Sequence, residues 1–98
     1  MLKINQQQQT LHFSGALDRD TVPTQWPFKL LSKLEGTVVF DFSELALVDT
    51  AGLAWLLHQV ALAEKQGLTL QMRHVPAQLI SLAKLSDVMA VLPLIEKE

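Results

Sequence analysis

The 98-residue sequence contains no cysteine and few basic residues. The lack of cysteine excludes a disulfide framework, a thiolate zinc site and a cysteine nucleophile, and is compatible with a reducing cytosol. Lysine and arginine number only eight, spread without a cluster, and the net charge is −2. Because binding to nucleic acid depends on a basic field that gathers phosphates, we expect no nucleic-acid partner.

Long apolar runs are also missing. No stretch approaches the roughly 20 apolar residues needed to cross a bilayer, and the opening sequence MLKINQQQQT lacks the apolar core of a signal peptide. We therefore expect a soluble, unexported protein with no direct membrane insertion. With 49% hydrophobic and 18% charged residues, the composition suits one domain over residues 1–98.

The order of secondary-structure patterns predicts the fold class. Strand-like and helix-like patterns alternate after an initial hairpin, with strands at 2–5, 10–14, 37–42 and 68–73 and helices at about 25–34, 50–66 and 76–86. The final residues, VMAVLPLIEKE, read as a short strand or tail. This order predicts an α/β fold in which a mixed sheet of about four to five strands has helices mainly on one face.

The stretch DFSELALVDTAGLAWLLH places polar residues where the central strand leads into the second helix. Asp49 and Thr50 are both good N-caps, and Gly52 permits close backbone approach. Amides at a helix N-terminus can receive an anion, but this turn is too poor in glycine for a phosphate cradle and has no following lysine. A capped turn is the simplest interpretation.

Catalysis and metal binding have little support. Asp41, Asp49, Thr50 and His58 contain the elements of a proton relay, but His58 would lie about 12 Å along the helix from Thr50. We therefore expect no enzyme activity. We assign no metal and no other cofactor, since the histidines fall on separate predicted elements without metal-ligand spacing; they are His12, His58 and His74.

The second helix has two apolar sides. At 100° per residue, one side carries Leu53, Leu56, Leu57 and Val60, and the nearly opposite side carries Ala51, Trp55, His58 and Leu62. A helix on a sheet needs only one buried side. The second side therefore predicts either burial under another element or a protein-docking surface, where aromatic residues are enriched as anchors. We favour docking, with Trp55 as the anchor.

The stretch FDFSELALVDTAGLAWLLH resembles the signature of STAS domains, a family that includes the bacterial anti-sigma factor antagonists. The matching positions are Asp41-Phe42-Ser43 and Asp49-Thr50-Ala51-Gly52-Leu53. The segments SGALDRD, AEKQG and LAKL extend the resemblance, and they are most similar to STAS subunits of ABC transporters that move phospholipids between Gram-negative membranes. The resemblance implies the STAS fold for the whole chain.

The resemblance also implies a role. In the antagonists a kinase phosphorylates the second hydroxyl residue of Asp-Ser-Ser-Gly, and Ala51, which occupies that position here, has no hydroxyl. This departure favours a cytoplasmic, non-enzymatic subunit, peripheral on the inner membrane through the ATPase subunit of a lipid transporter that maintains outer-membrane asymmetry. The alternatives are a phosphorylation-regulated antagonist and a small-ligand sensor. From the motif and the helical pattern together, the predicted partner contacts are Asp49, Thr50, Ala51, Gly52, Leu53, Trp55, His58 and Leu62, with Thr50 as the candidate regulatory site.

Overall fold

The computed structural model describes residues 1–25 and 30–94 and contains one four-stranded mixed sheet. Its strands, in spatial order, are β1 (Leu2–Gln7), β2 (Thr10–Leu17), β3 (Thr37–Val48) and β4 (Thr69–Arg73). The first two strands form the predicted antiparallel hairpin, whereas β3 pairs parallel with both β2 and β4. The predicted α/β class and mixed sheet are confirmed.

Two α-helices, α1 (Thr50–Gln66) and α2 (Ala77–Leu85), pack on the apolar face of the sheet. Alternation along the strands sends one set of side chains to that face and the other set away from it. The buried set from the sheet includes Leu11, Phe13, Val38, Phe40 and Met72. In the part of the chain that the structure describes, no helix is both long and apolar enough to span a membrane.

The described parts of the predicted helix at 25–34 are single 3-10 turns, at Val22–Gln25 and Leu30–Lys33. The helical spacing of Leu31 and Leu34 in the sequence predicts that both face the core, and both are buried. Pro27 lies outside the described residues. Near the C-terminus, the predicted strand or tail contains a 3-10 turn at Met89–Val91 and one bridge between Leu94 and Met72, and residues 95–98 also lie outside the described part.

Helix α1 begins and ends where the sequence predicts, but the side that it buries differs from the predicted side by a rotation about the helix axis. Gly67 ends it in the left-handed conformation, with φ of 78°. The buried residues are Gly52, Leu53, Trp55, Leu56, Gln59, Val60 and Ala63. Their centre lies about 70° from that of the predicted apolar side, at 100° per residue. The prediction that Trp55 faces outward is therefore wrong, and Leu57, expected in the core, is only half-buried.

Candidate functional site

The turn between β3 and α1 is held by the carboxylate of Asp49. Its Oδ1 accepts a hydrogen bond from Gly52 N–H at 2.9 Å, and its Oδ2 accepts one from Arg19 N–H at 3.1 Å. Burial raises the pKa of Asp49, but these bonds, one from the Ala51 amide and the charge of Arg19 together lower it. Asp49 therefore occupies the N-terminal amides that an external anion would use.

Gly52 is required by a close contact between backbones. A Cβ atom on Gly52 would lie 2.2 Å from the carbonyl oxygen of Leu17 and 3.0 Å from Cγ2 of Val48. The same Leu17 oxygen accepts a hydrogen bond from Asp49 N–H at 3.3 Å. The first turn of α1 thus sits directly on the end of β2, and the glycine of the motif has a structural role.

Helix α2 also contacts the end of β3 beside this turn. Val48 N–H donates to Oε1 of Gln78 at 2.9 Å. The pairing of β4 with β3 reaches only to Arg73 opposite Asp41, so β3 continues past its neighbour toward this turn. The sequence gives no signal for the Gln78 contact, because the two residues are far apart along the chain.

The predicted contact residues divide into an exposed and a buried group. Thr50 and His58 are exposed, and Asp49, Ala51 and Leu62 are half-buried. The buried members are Gly52, Leu53 and Trp55. Ala54, which the sequence places beside Trp55 on the predicted docking side, is exposed. The structure adds surface residues that the sequence interpretation missed: the exposed Ala61, the half-buried Leu57 and the 46% exposed Leu47.

Trp55 belongs to the core of the domain. Its side chain is only 3% exposed, and its ring meets that of Phe13 edge-on, with centroids 6.0 Å apart and an angle of 72° between the planes. Burial under the domain's own elements was the alternative to docking at the sequence level. Because almost none of the indole surface is accessible, Trp55 cannot serve as the contact anchor that the helical pattern predicted.

A second polar cluster surrounds Asp41, which is 5% exposed. Its Oδ2 accepts from Arg73 Nη2 at 3.0 Å and Nε at 3.3 Å, and its Oδ1 accepts from Ser43 N–H at 2.8 Å. Nδ1 of His74 lies 3.2 Å from Oδ1, and Nδ1 of His12 lies 3.8 Å from Oδ2. This carboxylate joins β2, β3, β4 and the segment after β4.

The chemistry of the Asp41 cluster is structural. Burial raises the pKa of Asp41, but hydrogen bonds from Ser43, Arg73 and His74 outweigh that effect and hold the pKa well below its usual range. Asp41 is thus a paired carboxylate, whose partners among the described residues are Ser43, Arg73, His74 and His12. Within the described ranges, no group of three or more His, Asp or Glu residues is arranged to hold a metal ion.

Comparison with known proteins identifies the family of this chain. The family model described as "Mlab, STAS domain" matches residues 1–95. Two curated relatives, from Escherichia coli (strain K12) and Shigella flexneri, are each named "Intermembrane phospholipid transport system binding protein MlaB". Each is 40% identical to this chain over 85 residues, which cover 86% of this chain and 87% of the relative.

A solved structure shows the same fold at much lower identity. The unphosphorylated anti-sigma factor antagonist SpoIIAA aligns with a TM-score of 0.66 and 13% sequence identity. The alignment covers 100% of this chain and 90% of the SpoIIAA chain. At this identity the likeness concerns the fold alone.

Proposed function

Because the chain belongs to the MlaB-type STAS domain family, we propose that it is a non-catalytic subunit of an intermembrane phospholipid transporter. The observation that carries this proposal is the similarity to the two MlaB proteins over most of both chains. In this proposal residues 1–98 form one STAS domain. The domain binds the transporter's ATPase subunit, an MlaF-like protein, and is cytoplasmic and peripheral to the inner membrane only through that partner.

The proposed docking face comprises Leu47, Thr50, Ala54, Leu57 and His58. Leu47 precedes the turn, Thr50, Ala54 and His58 are exposed on α1, and Leu57 is half-buried at the edge of this face, where it also packs against the core. The small side chains of Thr50 and Ala54 let a partner's backbone approach, while the 46% exposed Leu47 offers apolar area at the edge. Trp55 supports this face from beneath rather than touching the partner.

The proposed mechanism requires no chemistry from this chain. Binding stabilises whichever arrangement of the ATPase presents the complementary surface, because a ligand shifts an equilibrium only by its difference in affinity between states. ATP hydrolysis and its cofactors belong to the partner. Asp49 and Gly52 contribute by fixing the backbone of the turn, as their contacts with Arg19 and Leu17 support.

The antagonist alternative depends on a phosphorylated hydroxyl. Ala51 cannot accept a phosphoryl group, whereas the neighbouring Thr50 is exposed on the docking face. A phosphate on Thr50 would add about −1.5 to −2 charges to this apolar surface, which opposes docking. Thr50 therefore remains the proposed regulatory position within the transporter role.

Lysine substitutions on the docking face test the proposed function. We expect Leu47→Lys and Thr50→Lys each to weaken binding to the purified ATPase subunit by about tenfold or more, because each places an unpaired charge in a desolvated contact. The matched control is Leu85→Lys, since Leu85 is 84% exposed at the far end of α2. Calorimetry or biolayer interferometry measures the affinities. Wild-type affinity in both docking-face variants would show that this surface is the wrong one.

A further inference from the structure

We propose that Gln78 is a positioning residue for the docking face. Its Oε1 holds the amide of Val48 at 2.9 Å, one residue before Asp49 and two before Thr50. The inference rests on the proposed docking function. Gln78 lies in α2, outside both the sequence motif at residues 49–53 and the outward side of α1, so the proposal gives α2 a part in shaping the docking face.

The Val48 amide needs an acceptor from outside the sheet, because it lies where the strand pairing of β3 ends. Val48 is only 1% exposed, and a buried amide without an acceptor is costly. Strand β2 pairs with β3 as far as Val48, but its Leu17 carbonyl accepts from the next amide, that of Asp49. The pairing of β4 stops opposite Asp41, so β4 supplies no acceptor for Val48. The amide oxygen of Gln78 takes that place, although the side chain itself lies at the surface.

Holding this amide also orients the docking face. The peptide bond is planar, so fixing the N–H of Val48 fixes the plane of the unit that joins it to Leu47. On the other side of the turn, the Leu17 carbonyl fixes the N–H of Asp49 at 3.3 Å. Together the two bonds set the direction of Leu47 relative to Thr50. These are the two docking-face residues that the lysine substitutions test.

Two substitutions at Gln78 separate positioning from a general effect on stability. Gln78→Met removes the acceptor, and we expect about 3–10-fold weaker binding to the ATPase subunit, together with faster hydrogen exchange at the Val48 amide of the isolated protein. Gln78→Glu keeps an acceptor oxygen and places an acid in the first turn of α2, which the helix dipole favours. It should restore both the affinity and the protection of Val48.

Leu70→Val is the control, because it weakens core packing beside Val38, at the start of β3, while keeping the bond between Gln78 and Val48; its affinity should stay at the wild-type value. If Gln78→Met binds like wild type while Leu47→Lys does not, the positioning role is overturned and the docking face stands. Failure of Gln78→Glu to restore affinity also overturns the positioning role. If Leu47→Lys and Thr50→Lys both bind normally, the docking face is wrong and the positioning role is overturned with it. If the unmodified protein does not bind the ATPase subunit, the proposed function itself has failed.

Discussion

Replacing Trp55 by alanine is expected to lower the free energy of unfolding by about 3–5 kcal/mol, the usual cost of deleting a large buried aromatic. The side chain is 3% exposed and packs edge-on against Phe13, so alanine would leave a cavity between α1 and the sheet. Urea denaturation followed by circular dichroism measures the loss. In a domain of this size the melting temperature should fall by more than about 10 °C.

The controls for Trp55 distinguish a core role from a binding role. Trp55→Phe keeps an aromatic ring and should lose clearly less stability, while Leu85→Ala should change it by less than about 0.5 kcal/mol because Leu85 is exposed. A Trp55→Ala protein with wild-type stability and no affinity for the ATPase subunit would contradict this account. That result would show that the indole of Trp55 contacts the partner directly.

Asp41→Asn is expected to cost about 2–3 kcal/mol at pH 7. Breaking a buried ion pair typically costs about 3–5 kcal/mol, and partial exposure of Arg73 and His74 reduces that figure here. Whichever way the asparagine amide is turned, its NH2 group would face a donor, either Arg73 or the Ser43 N–H. Glu44→Gln is the matched control, because Glu44 is an exposed carboxylate on the same strand.

The cost of Asp41→Asn should depend on pH in a defined direction. Folding lowers the pKa of Asp41, so its contribution is fully present above the unfolded-state pKa of about 3.9 and is lost as pH falls below that value. Urea titrations of both proteins from pH 7 down to pH 3 measure the difference in free energy of unfolding. A difference that stays constant below pH 4 would show that the paired carboxylate is not its source.

Local patterns in the sequence predict most of the architecture. Alternation identifies the hairpin, β-branched and aromatic residues identify β3, and Asp49 and Gly67 mark the ends of α1. Each signal depends on residues close together along the chain. The parallel pairing of β3 with its neighbours follows from the order of elements, but its length does not, and β3 continues six residues beyond the predicted end at Phe42, to Val48.

The orientation of α1 about its axis could not be predicted, because a polar residue lies on its buried side. Gln59 lies near the centre of the buried side with 0% exposure, and neither of its amide atoms has a hydrogen-bond partner among the described residues. Burying such an amide costs about 1–3 kcal/mol, so a periodicity argument turns it toward solvent. Alanines at 51, 54 and 61 add little contrast between the two sides. The sequence interpretation centres the buried side on Leu53, Leu56, Leu57 and Val60, which turns Trp55 outward.

Contacts between segments that are far apart along the chain could not be predicted from the sequence either. Asp41 meets Arg73 because the two residues are opposite each other in the β3–β4 register, and Gln78 reaches Val48 because α2 starts beside the end of β3. Neither pair has a spacing that marks it. The acidic residue within the buried strand TVVFDF is the one local signal, since a buried carboxylate requires a partner.

Protection of position 54 tests most directly whether the outward side of α1 docks on the ATPase subunit. The chain has no native cysteine, so Ala54→Cys provides a unique thiol for maleimide labelling on that side, and Leu85→Cys provides one at the far end of α2. In a complex saturated with the ATPase subunit, we expect labelling of Ala54→Cys to slow by at least about tenfold while Leu85→Cys is unchanged. Equal labelling rates for Ala54→Cys in the free and bound protein would contradict the account.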